Sequence, residues 1–345
     1  MSRNLLPFTL SASLLAGAAL AEAPDVAADI APVHSLVARV MADVGQPDLI
    51  MPPGASPHEY NLRPSEAQAL QDAELVFWIG PELTPWLADS IETLAGGAEV
   101  VTLSGLEETT TLPTRESALF EAHEHGDHGH AHDDNDHDHD HDAHDHSHDD
   151  AHDHEEHDHD DHDHDDHDHA EAHDHGGQDP HMWLSPQNAS AWLTAIADAL
   201  ATADPDNADT YAANAAAGRE ELAALSGEID SLLAPVRDRN FIVFHDAYQY
   251  FEQSFDIPAS GAISLSDATD PSPARIAEVQ QRVAELGVSC VLSEPQFNPG
   301  VVAAVMEGSE ARTGVLDPVG SDLDPGPGLY PQMLRNLARA LADCL

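Results

Sequence analysis

Residues 204–236 read DPDNADTYAANAAAGREELAALSGEIDSLLAPV, a stretch that predicts one long helix. Asp204 supplies a cap, Pro205 a first-turn proline, and only two glycines interrupt the pattern before Pro235. Apolar side chains recur at helical spacing at Leu222, Leu225, Ile229, Leu232, Leu233 and Val236. A helix of roughly 28 residues would span about 40 Å. The stretch is therefore long enough to bridge two lobes.

Strand and helix patterns alternate on both sides of this helix, which is typical of crossover units and parallel sheets. The predicted strands lie at 25–30, 48–51, 73–80 and 99–103 before it, and at 240–244, 259–265, 288–292 and 313–316 after it. We therefore predict an α/β fold with two parallel-sheet lobes joined by one long rigid helix. The predicted parts are an N-terminal lobe at 22–204, a linking helix at 205–235 and a C-terminal lobe at 236–345.

A tract at residues 121–177 interrupts the N-terminal lobe with alternating His and Asp. It holds 21 of the 25 His of the chain and nothing more apolar than Ala, so it cannot build a core and is expected to be disordered unless something binds it. Imidazole and carboxylate together suit Zn²⁺ and neighbouring metals. A solvated acidic linker with incidental His is the alternative. A flexible tract fixes no coordination geometry, so a selective site must lie elsewhere.

The charge of the chain narrows the choice of partners. The formal net charge is −52, and all 12 basic residues are Arg. Such a field repels nucleic acid and anionic membrane surfaces and attracts cations. No nucleic-acid partner is expected.

The first residues predict export. A short positive region and an apolar run from Leu5 to Leu20 precede small residues suited to cleavage, so we predict a secretory signal peptide at 1–21. A transmembrane anchor is the alternative, although the run is short and contains Pro7 and Gly17. The mature protein is expected outside the cytoplasm.

The chain contains two cysteines, Cys290 in a predicted strand and Cys344 next to the C-terminus. In an oxidising compartment, two cysteines without other partners indicate one disulfide. Here it would join the last helix to the sheet. Two unpaired thiols are the alternative.

Four His lie outside the tract. His34 falls in the first turn of a predicted helix and is interpreted as structural or surface-exposed. His58, His181 and His245 lie on loops or where a strand ends, which is where parallel sheets present ligand sites. Singly each would be an ordinary polar residue, but together in an acidic exported protein they indicate a metal site.

Four ordered motifs carry a family resemblance: Gly-Ala-Ser-Pro-His-Glu-Tyr-Asn-Leu-Arg-Pro-Ser at 54–65, Asp-Pro-His-Met-Trp-Leu-Ser-Pro at 179–186, Phe-His-Asp-Ala-Tyr-Gln-Tyr-Phe at 244–251 and Leu-Asp-Pro-Val-Gly at 316–320. They resemble the signatures of the metal-binding solute-binding proteins of ABC importers, and most of all the zinc branch, ZnuA. The resemblance covers nearly the whole mature chain. It implies two α/β lobes joined by a rigid helix, with the metal in the cleft between them, and a disulfide between Cys290 and Cys344.

The resemblance also implies a ligand set. His58 and His181 would be ligands from the N-terminal lobe and His245 a ligand from the C-terminal lobe, while Asp317 occupies the place where relatives present a carboxylate. Manganese members have Glu where His245 stands, and nitrogen there favours zinc. The fourth ligand stays open among Asp317, Glu59 and a water.

These features predict a periplasmic protein, expected to be a monomer, that captures Zn²⁺ and delivers it to the membrane permease of an ABC importer without catalysing a reaction. The tract would collect zinc weakly, or report or store it. The alternatives are an extracytoplasmic zinc enzyme with three His and a water, a manganese-binding relative, and a metal buffer without a transporter.

Overall fold

The computed structural model describes residues 23–58, 60–115, 117, 120, 177–265 and 271–345. The predictions for residues 1–21 and for the tract, apart from Gly177, lie outside the described residues. No helix within the described ranges is both long and apolar enough to cross a membrane.

The N-terminal lobe is built on a four-stranded parallel sheet with the order β2-β1-β3-β4. β3 is buried along its whole length, which explains the unbroken apolar run from Leu75 to Trp78. The elements are β1 (Val26–Ala28), α1 (Ala31–Val40), β2 (Asp48–Leu49), α2 (Pro64–Asp72), β3 (Leu75–Trp78), α3 (Pro85–Leu94), β4 (Glu99–Thr102) and α4 (Pro186–Ala203).

The C-terminal lobe repeats this plan with a parallel sheet of order β6-β5-β7-β8. Its central strand β5 is buried at every position. The elements are β5 (Phe241–His245), α6 (Gln249–Phe255), β6 (Ala262–Ser264), α7 (Pro273–Leu286), β7 (Cys290–Ser293), α8 (Pro299–Val305), β8 (Arg312–Val315) and α9 (Leu329–Cys344). The prediction of two parallel-sheet α/β lobes is confirmed.

The linking helix is α5, Ala208–Leu233, flanked by short 3₁₀ turns at Pro205–Asn207 and Ala234–Val236. The predicted start at Pro205 is three residues early, because the Asp204 carboxylate receives hydrogen bonds from Asn207 and Tyr211 in the 3₁₀ turn and first helical turn. Its 26 residues correspond to about 39 Å. A long helix between the two lobes is therefore confirmed.

The two lobes share one core. A single cluster of buried apolar side chains contains Leu36 of α1, Leu225 of α5 and Leu337 of α9. Helix α5 packs against α1 and α4 of the first lobe and α9 of the second. Gly218 permits the close approach of α5 and α4, since a Cβ there would lie 3.0 Å from Leu193. The junction is consequently a packed interior rather than a flexible linker.

His34 is buried on α1, with only 8% of its surface exposed. Its Nε2 lies 3.0 Å from the carbonyl oxygen of Pro47. Burial lowers the pKa of His34 below its usual value. His34 is structural, and the surface alternative is wrong.

Cys290 and Cys344 form a disulfide that joins β7 to the last turn of α9. The predicted pairing is confirmed. The bond ties α9, which packs on the linking helix, to the sheet that carries His245.

Replacing both cysteines with Ala should lower the free energy of unfolding by about 2–4 kcal/mol, because the bond closes a long loop in the unfolded chain. The sequence separation of the two cysteines is 54 residues. Urea unfolding of the oxidised protein and the variant measures this difference. Wild type treated with a reductant should show the same shift, and an unchanged midpoint in both samples would contradict the prediction.

Candidate metal centre

A strand end, a 3₁₀ turn and a loop bring the three predicted His side chains together. His245 is the last residue of β5, and His181 comes directly before a 3₁₀ turn that leads into α4. His58 lies on the loop after β2, which is fixed by a hydrogen bond of 2.9 Å from Trp86 Nε1 to the carbonyl oxygen of Pro57. The ring centroids of His58 and His181 are 5.5 Å apart, and those of His181 and His245 are 5.2 Å apart. The structure therefore gathers one His from each of three separate segments.

The two closest imidazoles, His181 and His245, come from different lobes. Nε2 of His181 and Nε2 of His245 are 3.4 Å apart. Two imidazole nitrogens bound to one tetrahedral zinc at about 2.0–2.1 Å from the metal are separated by about 3.3–3.4 Å. This pair consequently has the spacing of one edge of a zinc tetrahedron.

A buried carboxylate binds Nδ1 of each of these two imidazoles, on the side of the ring opposite Nε2. Nδ1 of His181 donates to Asp179 Oδ1 at 2.8 Å, and Nδ1 of His245 donates to Glu294 Oε1 at 2.6 Å. With the proton on Nδ1, the Nε2 lone pair of each ring is directed away from its carboxylate. Carboxylate partners of this kind orient metal-binding His and raise their basicity. The arrangement is thus suited to a divalent cation.

The two carboxylates were not predicted from the sequence. Asp179 stands two residues before His181 within a quoted motif, and Glu294 directly follows β7, the neighbour of β5 in the sheet. Their positions at strand ends and beside a candidate ligand were the signals that could have found them. Burial raises the pKa of Asp179 to about 7, while the His181 backbone N–H and the charge of Arg115 act in the opposite direction.

Asp317 accepts four hydrogen bonds within its own turn. Its Oδ1 accepts hydrogen bonds from the backbone N–H groups of Val319 and Gly320, and its Oδ2 accepts from both the N–H and the hydroxyl of Ser321. Gly320 has φ +70°, a conformation that favours glycine. Asp317 thus shapes the turn at 319–321, and its role as a ligand stays a prediction.

A small cavity lies at the three rings. Its volume is about 20 Å³, which suits one ion or one water rather than an organic substrate. Its walls are Ser56, Pro57, His58, His181, Trp183, His245, Glu294, Gln296, Phe297, Pro318 and Val319. A larger cavity of about 740 Å³ lies on the C-terminal lobe, beside Arg239 and Arg312, and no His is among its described lining residues.

His58, the third predicted ligand, is half-buried on its loop. Within the part of the chain that the structure describes, no three His, Cys, Asp or Glu side chains are arranged as a ready metal-binding group. The backbone N–H of His58 donates to Ser56 Oγ at 3.3 Å. Glu59, the other candidate for the fourth ligand, lies outside the described residues.

Two α/β lobes joined by a helix, with a ligand site in the cleft between them, define the class of solute-binding proteins. The model of the ZnuA family, described as zinc-uptake complex component A periplasmic, matches residues 26–344. The chain belongs to the ZnuA family.

Relatives over the full length agree with this assignment. The chain is similar to the high-affinity zinc uptake system protein ZnuA of Brucella abortus, with 47% identity over 99% of both chains. It is 45% identical to the protein of the same name from Paracoccus denitrificans, over 95% of this chain and 93% of the relative. Among solved structures, a crystal structure of ZnuA has the same fold, with a TM-score of 0.67, 21% identity and coverage of 93% of this chain and 99% of the other.

Family membership confirms the prediction of a transport component rather than an enzyme. It also confirms zinc as the transported ligand of the family.

Replacing Asp179 with Asn or Glu294 with Gln should weaken zinc binding by about 10–100-fold, because each change removes the carboxylate that orients one imidazole. Competition with a fluorescent zinc chelator measures the affinity. Glu228→Gln is the matched control, because Glu228 is an exposed carboxylate paired with Arg335 on the surface. Affinities within about twofold of wild type for both site variants would contradict the assigned roles.

Proposed function

We propose that this protein captures Zn²⁺ in the periplasm and delivers it to the membrane permease of an ABC importer. The observation that carries the proposal is the pair of buried imidazoles from opposite lobes, with Nε2 atoms 3.4 Å apart and a carboxylate behind each ring. Family membership supports uptake, because the family is named for the periplasmic component of a zinc-uptake complex. The signal peptide proposed for residues 1–21 would direct the chain to that compartment.

His58, His181 and His245 are the proposed ligands, with Asp317, Glu59 or a water completing the set. Zinc prefers four ligands in a tetrahedron, and structural sites close the whole shell. A closed shell in a cavity of about 20 Å³ leaves no position for a substrate to react. Capture without chemistry follows, and release requires the permease to open the cleft.

Zinc is the proposed cargo rather than manganese because the three proposed His ligands bind through nitrogen. Imidazole suits zinc and its neighbours late in the first row, whereas Mn²⁺ favours carboxylate and water. The two carboxylates closest to the rings, Asp179 and Glu294, bind ring nitrogens instead of facing the point between the Nε2 atoms.

The tract is proposed to collect zinc weakly for this site. Its last residue, Gly177, is four positions before His181 in the sequence, so tethering raises the local concentration of any ion that the tract holds. Its His must lose protons to bind metal, so its binding is expected to be weak and to depend on pH. We further propose that 22–204 and 236–345 act as the two lobes of one monomer with 205–235 between them.

Each of His58→Ala, His181→Ala and His245→Ala should abolish tight zinc binding, because each removes a ligand rather than an outer partner. The loss should exceed the about 10–100-fold expected for an outer partner. Isothermal titration with a competing chelator measures it. His146→Ala, within the tract, is the control and should keep the tight site.

In the same titration, Asp317→Asn separates the candidates for the fourth ligand. A loss comparable with that of the His variants would assign Asp317 to the metal. A small change would leave Glu59 or water in that place. Wild-type affinity in all three His variants would contradict the proposed ligand set.

Deleting residues 121–176 should lower the number of zinc ions bound while one tight site remains, because the ligands lie outside the tract. The deletion keeps Gly177, whose carbonyl oxygen accepts a hydrogen bond from the Thr114 N–H. Equilibrium dialysis with elemental analysis gives the stoichiometry, and a Gly/Ser linker in place of the tract is the control. Loss of the tight site in both proteins would contradict this division of labour.

A further inference from the structure

Residues 109–115, which we call the strap, connect β4 to the tract and begin on the N-terminal lobe. Thr109 Oγ1 accepts a hydrogen bond of 2.8 Å from Trp192 Nε1. The backbone N–H of Thr110 donates to Asn188 Oδ1 at 2.9 Å, and Asn188 Nδ2 donates to the Thr110 carbonyl oxygen at 3.0 Å. Trp192 and Asn188 both lie on α4, so the strap is anchored to the first lobe.

The strap then reaches the C-terminal lobe. Tyr250 Oη on α6 accepts from the backbone N–H of Leu112 at 2.9 Å and donates to the carbonyl oxygen of Asp179 at 2.9 Å. The N–H of Asp179 donates to the Leu112 carbonyl oxygen at 2.8 Å. The Tyr250 hydroxyl on α6 therefore connects the strap with the segment that carries His181.

Arg115 makes the strongest tie between the strap and the second lobe. Its Nη1 donates to Asp246 Oδ1 at 2.7 Å, and its Nη2 donates to Glu252 Oε2 at 2.7 Å. The guanidinium also lies 3.9 Å from the ring centroid of Phe120. Asp246 directly follows His245, and Glu252 lies on α6. Arg115 thus binds both Asp246, directly after His245, and Glu252 on α6.

The two carboxylates need this cation. The side chains of Asp246 and Glu252 are only 6% and 4% exposed. Breaking a buried ion pair by removing one partner is strongly destabilising, since it leaves an uncompensated buried charge. Without Arg115, the two carboxyl groups would have to take up protons or move toward water, and either change removes the tie between the strap and the segment after His245.

We propose that Arg115 is a positioning residue for zinc. It holds His245 opposite His181 by tying Asp246 and Glu252 to a strap anchored on the other lobe, and zinc leaves slowly only while this tie is intact. The proposal rests on the proposed function, because it concerns the same interlobe site.

The direction in which zinc affinity changes when Arg115 is removed distinguishes a positioning role from an effect of its charge alone. Arg115 is close enough for its charge to act on Asp179, the partner of His181. A cation near a metal site repels the metal, so removing Arg115 would strengthen zinc binding if its charge were all that mattered. Positioning predicts weaker binding. Lys keeps the charge but lacks the planar fork that reaches two carboxylates at once.

The test measures zinc release from the full chain. Wild type, R115Q and R115K are loaded with zinc and mixed with excess chromogenic chelator in a stopped-flow instrument, and the slowest phase reports the tight site. R115Q should release zinc about 10–100-fold faster than wild type, and R115K should fall between the two. His181→Ala serves as the reference without a tight site.

Two Arg variants are matched controls. Arg282 Nη2 donates to the Phe120 carbonyl oxygen at 2.7 Å just beyond the strap, without contacting Asp246 or Glu252. Arg335 pairs with Glu228 on the surface. R282Q and R335Q should both release zinc within about twofold of wild type, because neither contacts the segment that follows His245.

The rate and the amplitude of the slow phase of zinc release are analysed separately. A purely structural role would lower the amplitude of the slow phase, through loss of folded protein, and leave its rate unchanged. Circular dichroism of the metal-free proteins identifies a variant that does not fold, and R115K then decides the question. A slow phase in R115Q or R115K that is as slow as, or slower than, that of wild type overturns the proposal. A wild type without any slow phase, resembling His181→Ala, would overturn the proposed function as well.

Discussion

His181 and His245 come from different lobes, yet their Nε2 atoms lie 3.4 Å apart, and the rest of the structure serves to hold that distance. A zinc site tolerates little error in the position of its nitrogens, because coordination distances are fixed within about 0.2 Å. While zinc is bound, the lobes must therefore keep a constant separation. Helix α5 and the apolar core that passes through both lobes provide this, and hydrogen bonds such as that from Trp183 Nε1 to the Pro318 carbonyl oxygen at 2.7 Å cross the boundary directly.

Burial strengthens the hydrogen bonds between the two imidazoles and their carboxylates, but burying a carboxylate also costs free energy. Asp179 and Glu294 are 2% and 4% exposed, and a buried carboxylate is stable only where hydrogen bonds and opposite charge compensate it. The imidazole N–H groups do this in part, and a bound cation would complete the compensation. The buried carboxylates thus favour a divalent ion in two ways, by orienting its ligands and by carrying negative charge that a bound cation offsets.

Much of this fold follows from the sequence because its signals are local. The apolar run at 75–78, the alternation of strands with helices and the spacing from Leu222 to Leu233 each reflect the period of one element. His245 could be assigned to a strand end because it follows the apolar run at 241–244, and it is the last residue of the five-residue strand β5. Local patterns were less exact at the ends of α5, where Asp204 and its side-chain hydrogen bonds set a 3₁₀ turn before the helix starts at Ala208.

The surroundings of the ligands could not be predicted in the same way. Glu294 is 49 residues from His245 and reaches it only because β7 lies beside β5 in the sheet. Asp317 stays one of the candidates for the fourth ligand, and its four hydrogen bonds to residues 319–321 depend on the course of that particular turn. Contacts that depend on sheet order and turn geometry leave no periodic signal in the chain.

We propose that one zinc ion joins the two lobes at the His181–His245 pair. A crystal structure of the zinc-loaded protein, with anomalous scattering recorded on both sides of the zinc edge, tests this most directly. We expect one strong anomalous peak about 2.0–2.1 Å from both Nε2 atoms, with His58 as a third ligand. Strong zinc density elsewhere, with the cleft pair carrying none, would contradict it.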